Sequence, residues 1–328
     1  MIKTLTIRNF KSVKQLKLDC GEINLFIGEP NTGKTNILEA LGLLSWCGFL
    51  SSPLKDYVRF SVVQDLFYDG IPDVPVVIEV EGDVPVRLSV DLADGRFHLR
   101  RSYQEKGEKV VLEDLQLDHT GMLRTLVPEH SPKFKVFKYF KFRTANKFID
   151  QEPEYLKPPF GTNLFSVVMS RRKLRQKMGE LYKNTGLRLV LKPQEYSFEL
   201  QKTLDDIAFS YPYSTTSETL QRMAFYITAI ESNKNSVLIF EDPAASMFPS
   251  YAERLGNSIA ADRENQYFIA THNLYLIHSI LEKTNSEDIR IFVTYSQNFE
   301  TRTKVLGANK LHELTDLDPF FNIGHLLD

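Results

Sequence analysis

Short apolar runs near the start of the chain predict three strands. Residues 2–10 alternate apolar and polar side chains, which is typical of a strand with one buried face. Lys11-Ser12 interrupts the alternation and residues 13–18 resume it, so the two segments are predicted to pair as a hairpin. Residues 23–27 form a mainly apolar run, which predicts a strand buried on both faces, as in a parallel sheet. The buried strand is therefore the third in the chain and not the first.

The middle of the chain, from Leu50 to about Leu189, has a different pattern. Residues 74–81, 86–90 and 97–100 predict amphipathic strands, and Asp94-Gly95 predicts a tight turn between the last two. Residues 163–182 predict a helix. No sustained heptad repeat is present, which excludes a long coiled coil. We expect a mostly β lobe with a helix at 51–189, inserted between two halves of an α/β core at 1–50 and 190–328.

The C-terminal part of the chain alternates predicted strands and helices, as an α/β domain does. Ser217 precedes a run with apolar positions at helical spacing and is the predicted N-cap of that helix. The further predicted strands are residues 236–240, 266–270 and 289–295, and the further predicted helices are residues 251–261 and 308–314.

Composition and charge add few constraints. The chain has 328 residues, enough for one large domain or two modest ones, and its net charge of −2 means that any nucleic-acid contact must be a local patch. Its two cysteines lack metal-ligand spacing and are too few for a disulfide framework. The opening residues do not form a signal peptide, and no apolar run could cross a bilayer. We therefore expect a cytoplasmic protein without membrane contact.

One loop carries the clearest chemistry. Residues 28–35, Gly-Glu-Pro-Asn-Thr-Gly-Lys-Thr, fit the phosphate-binding pattern G-x-x-x-x-G-K-[ST] and lie between a buried strand and an amphipathic helix. Gly28 and Gly33 let the backbone N–H groups point at phosphate oxygens, and the helix N-terminus adds its positive dipole end. Lys34 is predicted to contact the β- and γ-phosphates, and the Thr35 hydroxyl is predicted to ligate Mg²⁺. Asn31, Thr32 and Asn36 complete the predicted site for ATP with Mg²⁺.

Two further strands end in polar residues that suit the same site. The strand at 236–240 is followed by Glu241-Asp242-Pro243, which matches the Walker B pattern of acids beside a phosphate loop. One acid can hold Mg²⁺, and the other can polarise an attacking water. The next strand is followed by His272. A lone histidine at a strand end is more often structural, but its place one strand after the acid pair favours a functional role.

The chain resembles the RecF/SMC-like branch of ABC-type ATPases, and most closely the bacterial AAA-family ATPases related to the OLD (overcoming lysogenization defect) group. The segment Ile7-Arg8-Asn9-Phe10-Lys11-Ser12, the sequence Gly33-Lys34-Thr35-Asn36, the acid pair and the Thr271-His272-Asn273 run carry this resemblance. The resemblance implies that Glu241 binds the metal, that Asp242 is the catalytic acid and that His272 contacts the γ-phosphate. It also implies a Q-loop glutamine, for which Gln64 is the candidate.

The segment from Ser214 to Arg222 resembles the signature motif of ABC-type ATPases, although the usual glycine is absent and Thr219 stands nearby. The resemblance implies that Ser217 binds the γ-phosphate of a nucleotide held by a second protomer, so that ATP drives head-to-tail dimerisation. Relatives have Asp-Glu or Glu-Glu as the acid pair, so Asp242 is one methylene shorter than the usual base, which affects the expected turnover rate. OLD relatives often carry a C-terminal Toprim nuclease, and we expect none here because the chain ends soon after His272.

Several functions remain open at this stage. The leading hypothesis is an ATPase subunit that senses or clamps DNA or RNA and controls a separate effector, such as a nuclease, in an anti-phage defence or DNA-maintenance module. The alternative is a low-turnover ATP-binding protein that restrains a toxin partner, and a transporter motor is disfavoured. Two basic segments, residues 133–143 and 171–177, could bind phosphate backbones, or could be the solvated faces of an ordinary strand and helix.

Overall fold

The centre of the molecule is a mixed sheet of six strands. The computed structural model describes residues 1–105, 109–125 and 133–307. The strand order of the central sheet is β15-β14-β3-β13-β12-β8, and all of its strands are parallel except β15. Its strands are β3 (Ile23–Gly28), β8 (Phe137–Phe140), β12 (Val237–Glu241), β13 (Gln266–Ala270), β14 (Ile289–Gln297) and β15 (Glu300–Val305). The sheet confirms the predicted α/β core.

Helices cover both faces of the central sheet, which explains why β3, β8 and β13 are buried along their whole length. One face packs on α1 (Lys34–Gly48), and the other packs on the remaining helices. These are α2 (Leu164–Ser170), α3 (Arg172–Lys183), α4 (Glu218–Ser232), α5 (Pro249–Ala261) and α6 (Leu274–Lys283). None of the helices described in this chain combines the length and apolar character needed to cross a membrane.

A second sheet of six antiparallel strands packs over α1. Its order is β2-β1-β4-β5-β6-β7, with β1 (Ile2–Phe10), β2 (Val13–Asp19), β4 (Val76–Gly82), β5 (Val86–Ala93), β6 (Arg96–Glu105) and β7 (Lys109–Leu117). The predicted hairpin of β1 and β2 is present, and Asp94 and Gly95 form the turn between β5 and β6, both with positive φ. Strand β1 also pairs with β4, so β4–β7 extend the sheet that the first two strands begin.

The stretch 51–189 is therefore not a lobe separate from the core. It supplies β4–β7 to the sheet of β1 and β2, and it supplies β8 to the central sheet, where β8 pairs with β12. The local pattern shows that a strand has one buried face, but it does not show which distant strand lies beside it.

A small third sheet precedes α4. Its order is β11-β10-β9, with β9 (Arg188–Lys192), β10 (Ser197–Leu204) and β11 (Ile207–Pro212). The helix predicted at 163–182 is two helices, α2 and α3, because Arg171 between them has extended backbone angles. The helix predicted at 308–314 lies outside the described residues.

The first of the two basic segments is part of the core. Its aromatic side chains Phe134, Phe137, Tyr139 and Phe140 are buried, so they are not available to stack on bases. Lys138 is only 6% exposed; its Nζ donates to Asn233 Oδ1 and lies 3.8 Å from the centroid of the Tyr155 ring. These aromatic side chains and Lys138 therefore belong to the core at the edge strand β8, whereas Lys141 keeps 41% of its side chain exposed.

Lys138 makes the stability of the protein depend on pH. Burial, with a smaller contribution from Lys135, lowers the pKa of Lys138 to about 7. The unfolded chain, with an ordinary lysine pKa of about 10.4, binds more protons above pH 7. The contribution of Lys138 to the free energy of unfolding should therefore rise between about pH 7 and pH 10.4, by up to about 1.4 kcal/mol per pH unit. Lys138→Met should remove this contribution, whereas Lys17→Met, at an exposed site, should not.

Denaturant unfolding of both variants at pH 6.5 and pH 9 measures this difference. Lys138→Met should gain most relative to the wild type at the lower pH, where the wild type must bury a charged ammonium. Equal stability differences at the two pH values would contradict the assignment.

Candidate functional site

The loops after β3, β12 and β13 lie at one edge of the central sheet. Because these strands are parallel neighbours, their carboxyl ends meet there. The loop after β3 leads into α1, the loop after β12 begins with Asp242, and the loop after β13 begins with Thr271-His272. The topology thus brings together the three motifs that the sequence separates by more than two hundred residues.

The loop between β3 and α1 has the backbone of a phosphate cradle. Asn31 and Gly33 have φ of 62° and 96°, so the chain turns through the left-handed region just before α1 begins at Lys34. A Cβ added to Gly33 would lie 1.9 Å from Thr301 Oγ1, and one added to Gly28 would lie 2.3 Å from the Thr294 carbonyl oxygen. Glycine at these two positions is required by both backbone angle and space.

Two threonines of β14 and β15 support this loop, and no motif in the sequence marks either of them. Thr32 Oγ1 donates to the Glu29 carbonyl at 2.8 Å and contacts Thr294 Oγ1 at the same distance. On the other side, Thr301 Oγ1 lies 2.7 Å from Ser12 Oγ, which accepts a hydrogen bond from Asn36 Nδ2 at 2.7 Å. The loop is therefore held between the edge of the central sheet and the turn that joins β1 to β2.

Lys34 is folded over the loop that precedes it. Its Nζ donates to the carbonyl oxygens of Gly28 and Glu29, both at 2.7 Å, and only 7% of the residue is exposed. Burial lowers the pKa of Lys34 to about 8, although Asp242 and Glu29 act in the opposite direction. The ammonium is thus a poorly solvated cation that only carbonyl dipoles stabilise directly, and an anion at this position would be strongly attracted.

Asp242 and His272 lie within electrostatic reach of Lys34 and of each other. Burial raises the pKa of Asp242, with His272 as the largest opposing influence, and Thr271 Oγ1 lies 3.4 Å from Asp242 Oδ1. Partial burial lowers the pKa of His272, Lys34 lowers it further, and Asp242 raises it. His272 is therefore mostly neutral near pH 7 and can donate or accept a hydrogen bond. Asp242 has a φ of 42°, a strained value that turns the chain out of β12 at this point.

Glu241 belongs to the opposite face of β12, the face that packs on α1. Tyr139 of β8 donates its hydroxyl to Glu241 Oε2 at 2.6 Å, and Lys141 Nζ lies 3.8 Å from the same oxygen. Burial, followed by the charge of Glu241, raises the pKa of Tyr139 well above its ordinary value, so the hydroxyl remains a donor. These two contacts orient the Glu241 carboxylate on the α1 side of the central sheet. The sequence did not identify Tyr139 as part of the site.

An ion-pair network around the buried Glu39 also joins the turn between β1 and β2, α1 and the loop before β4. Glu39 of α1 is 1% exposed and pairs with Lys11 and with Arg59, whose Nε is 2.7 Å from Glu39 Oε1. Lys11 also donates to the Arg59 carbonyl at 2.6 Å. No sequence motif connects these residues. They fix the position of α1 relative to the second sheet, and hence of the phosphate cradle.

The signature-like segment presents an exposed helix N-terminus. Helix α4 begins after Ser217 as predicted, but the Ser217 side chain is exposed and makes no capping hydrogen bond. Arg222, one turn into α4, pairs with Glu218 at 2.7 Å and stacks on Phe142. Its positive charge also lowers the pKa of Asp242, against the larger effect of burial. The first turn of α4 therefore has N–H groups without partners inside the helix and an exposed Ser217 hydroxyl.

Gln64 lies in a one-turn helix, Val63–Leu66, where its Nε2 donates to the Gly70 carbonyl at 2.8 Å. No hydrogen bond in the described part of the chain joins it to the phosphate cradle. Its role as a Q-loop glutamine stays a prediction.

The residues present fit a nucleoside triphosphate with Mg²⁺. The cradle at Gly28–Lys34 leaves no room for side chains at its two glycines, and the Lys34 ammonium has no carboxylate partner within it, which suits phosphate oxygens. Thr35 at the start of α1 and Glu241 at the end of β12 offer the oxygen ligands that Mg²⁺ prefers.

Comparisons with known proteins agree with this geometry. Residues 1–61 match the family model described as an AAA ATPase domain. The chain is 32% identical over 81 residues to the DNA replication and repair protein RecF of Bacteroides fragilis, and 46% identical over 61 residues to RecF of Leptospira interrogans. These matches cover 22% and 18% of this chain, and 22% and 17% of the two RecF proteins, so the chain spans about a fifth of the relatives' length. It is also 48% identical to an uncharacterized protein of Methanocaldococcus jannaschii over 134 residues, 36% of this chain and 55% of that protein.

The fold is similar to that of solved SMC heads. The SmcHead bound to the C-winged helix domain of ScpA aligns with 94% of this chain and 99% of its own, with a TM-score of 0.54 and 15% identity. The Smc head domain with an extended coiled coil, bound to the C-terminal domain of ScpA derived from Pyrococcus furiosus, aligns with 96% and 98%, with a TM-score of 0.51 and 12% identity. The predicted P-loop ABC-type core is thereby confirmed as a fold.

Proposed function

We propose that this protein is a Mg²⁺-dependent ATPase whose active site is completed by a second copy of the chain. The observation that carries the proposal is the convergence of Lys34, Asp242 and His272 on one phosphate cradle at the carboxyl edge of the central sheet. Lys34 would bind the β- and γ-phosphates, while Thr35 and Glu241 would hold the metal ion, which neutralises phosphate charge when bound. Asp242 would accept a proton from the attacking water, and neutral His272 would hold that water or a γ-phosphate oxygen.

In the described part of one chain, the site lacks a hydrogen-bond donor for the side of the γ-phosphate that faces away from the cradle. In one chain Ser217 and the first N–H groups of α4 are exposed and make no contact with the cradle. A head-to-tail pair would place the Ser217 of each copy against the nucleotide of the other. Closure would then depend on the γ-phosphate, because it contacts both copies only in the closed state.

Mixing two inactive variants tests this arrangement. Lys34→Ala removes the phosphate-binding lysine, and Ser217→Arg blocks the helix N-terminus that would face the partner. Each variant alone should lack turnover, but the mixed pair contains one intact site, so an equimolar mixture should recover about a quarter of the wild-type rate of phosphate release. Activity of Ser217→Arg alone, or no recovery on mixing, would contradict a shared site.

The proposal also includes a partner protein that binds the ATP-bound dimer. A separate effector, such as a nuclease of a defence or DNA-maintenance module, could bind only the closed pair, in keeping with the proposed grouping with OLD relatives. The alternative, a slow ATP-binding protein that restrains a toxin, is supported by the short Asp242 side chain and the absent signature glycine. Steady-state turnover decides between them, since a restraining protein would keep its ATP bound.

A basic groove supports nucleic acid as the signal that the ATPase senses. The groove, about 920 Å³, lies between α3, α4 and α5 at the amino ends of β12 and β13, and its lining has seven Lys or Arg and three Asp or Glu side chains. Arg172, Lys173 and Arg254 have no acidic partner among the residues that the structure describes, whereas Lys177 pairs with Glu231. Three unpaired cations in one groove suit a phosphodiester backbone.

Removing these cations should weaken DNA binding. The triple variant Arg172→Ala, Lys173→Ala, Arg254→Ala should bind a labelled DNA duplex more than about tenfold less tightly, and its slope of log K against log salt should be smaller by about 0.9 per lost contact. Fluorescence anisotropy from 50 to 200 mM salt, with Lys17→Ala as control, measures both. An unchanged slope would place the contact elsewhere, and no binding by the wild type would remove nucleic acid from the proposal.

A further inference from the structure

The edge of the sheet that carries the phosphate cradle also carries three exposed aromatic side chains, which we name the aromatic rim. Phe248 follows β12, Tyr275 follows β13 and Phe299 follows β14, and they are 65%, 56% and 90% exposed. Single exposed apolar residues are common on protein surfaces. Three exposed aromatic side chains that each follow a parallel strand at one edge of the sheet instead form a set, and such sets mark interaction surfaces.

The hairpin of β10 and β11 has a second exposed apolar face, and we name it the apolar hairpin. The cross-strand pairs Leu200–Tyr211, Lys202–Phe209 and Leu204–Ile207 lie on one face of the hairpin. At the base of this face Phe198 and Leu200 are buried, but Leu204, Ile207, Phe209 and Tyr211 are between 38% and 59% exposed. The face therefore begins in the core and continues beyond the body of the chain. There the Lys202 ammonium lies 5.6 Å from the centroid of the Phe209 ring and 6.0 Å from that of Tyr211, and the four apolar side chains stay partly exposed.

The position of the apolar hairpin relates it to the second copy. Strand β11 ends at Pro212, five residues before Ser217, so the hairpin lies directly beside the signature-like segment. In a head-to-tail pair the Ser217 of each copy approaches the phosphate cradle of the other. In that arrangement each apolar hairpin would also lie near the aromatic rim of the other copy. Within one chain the two surfaces stay exposed and do not cover each other.

The charges of the two surfaces are complementary. Asp205 and Asp206 form the exposed turn of the hairpin, and neither has a cationic partner among the described residues. Next to Phe299 on the rim, Lys14 and Arg302 share one carboxylate, that of Glu300, which Lys14 approaches to 3.2 Å. Two cations and one carboxylate leave a net charge of one positive unit beside the aromatic rim, which is complementary to the acidic turn of the hairpin.

We propose that the apolar hairpin of one copy packs on the aromatic rim of a second copy in the ATP-bound pair, with the acidic turn facing Lys14 and Arg302. This inference rests on the head-to-tail pair proposed above and names the surface that holds it together. Buried aromatic side chains are the usual anchors of such interfaces. ATP would align the two copies, and the apolar hairpin and the aromatic rim would supply the apolar surface that the pair buries.

Disulfide cross-linking tests the contact directly. A chain with both Phe209→Cys and Phe299→Cys should form a covalent dimer under mild oxidation only with ATP and Mg²⁺, and each single variant should not. The background is low because burial raises the pKa of both native cysteines, Cys20 and Cys47, to about 12. Cross-linking of Phe209→Cys alone would show hairpin against hairpin and overturn the proposal.

A solution measurement separates this inference from the ATPase proposal. Phe209→Ser should weaken the ATP-dependent dimer by about tenfold or more while the monomer binds ATP normally. Leu112→Ser, which removes an even more exposed side chain (66%, against 41% for Phe209) from the second sheet, should change neither property. If the wild type dimerises with ATP and Phe209→Ser dimerises equally well, the contact is wrong and the shared site stands. If the wild type does not dimerise with ATP, both proposals fail.

Discussion

Lys34→Ala is expected to reduce ATP turnover by about 10²–10³-fold, which is the usual cost of losing one preorganised donor to a developing charge. In the structure the Lys34 ammonium has only two carbonyl partners, at Gly28 and Glu29, and burial keeps it poorly solvated. Phosphate oxygens would replace these carbonyls with full negative charge. The variant should still fold, since it removes a buried cation and leaves only two carbonyls to be satisfied by water.

Calorimetric ATP titration and phosphate release measure the effect of Lys34→Ala separately. Affinity and turnover should both fall, because Lys34 contacts the nucleotide before and during the reaction. Lys17→Ala on exposed β2 is the matched control and should behave as the wild type. Undiminished ATP affinity in Lys34→Ala would mean that the nucleotide binds elsewhere.

Asp242→Asn is expected to lower turnover by about 10²–10⁴-fold while ATP binding persists. The amide keeps the shape of the side chain but cannot accept the proton of the attacking water. In the free protein Asp242 lies in a partly buried site within electrostatic reach of His272 and Lys34. The substitution therefore removes a negative charge that interacts with both groups. Because hydrolysis would open the dimer, the variant should remain closed in the presence of ATP.

Mass in solution, measured with ATP and Mg²⁺, provides the second readout for Asp242→Asn. The wild type should shift between monomer and dimer as ATP is consumed, and the variant should stay dimeric. Asp94→Asn, in an exposed turn of the second sheet, is the control. Asp242→Glu restores the length of the usual base and should hydrolyse at least as fast as the wild type. Full turnover in Asp242→Asn would assign the base to another group.

Much of the candidate site was predictable because its chemistry is local in sequence. The loop at residues 28–35 shows its glycines, lysine and hydroxyl within eight positions, and the strand before it and helix after it are evident from apolar spacing. The acid pair after β12 and His272 after β13 could be placed at the same edge, because consecutive buried strands in an α/β sheet are parallel.

The supporting contacts were not predictable. These are the close approach of Thr301 to the Gly33 backbone, the hydrogen bond of Tyr139 to Glu241 and the ion pair of Lys11 with Glu39, each between separate segments of the chain. Threonine, tyrosine and lysine are common residues with no motif around them. Their role appears only when strand pairing decides which segments are neighbours.

The sequence by itself determined the class of the core, the phosphate loop and the identity of the residues that would bind ATP, because each follows from short-range spacing. Tertiary structure alone decided that β4–β7 continue the sheet of β1, that β8 belongs to the central sheet and that Lys138 is buried. It also decided where the apolar hairpin and the aromatic rim remain exposed. The physical reason is that periodicity specifies which face of an element is buried, whereas the partner of that face depends on the free energy of the whole packed arrangement.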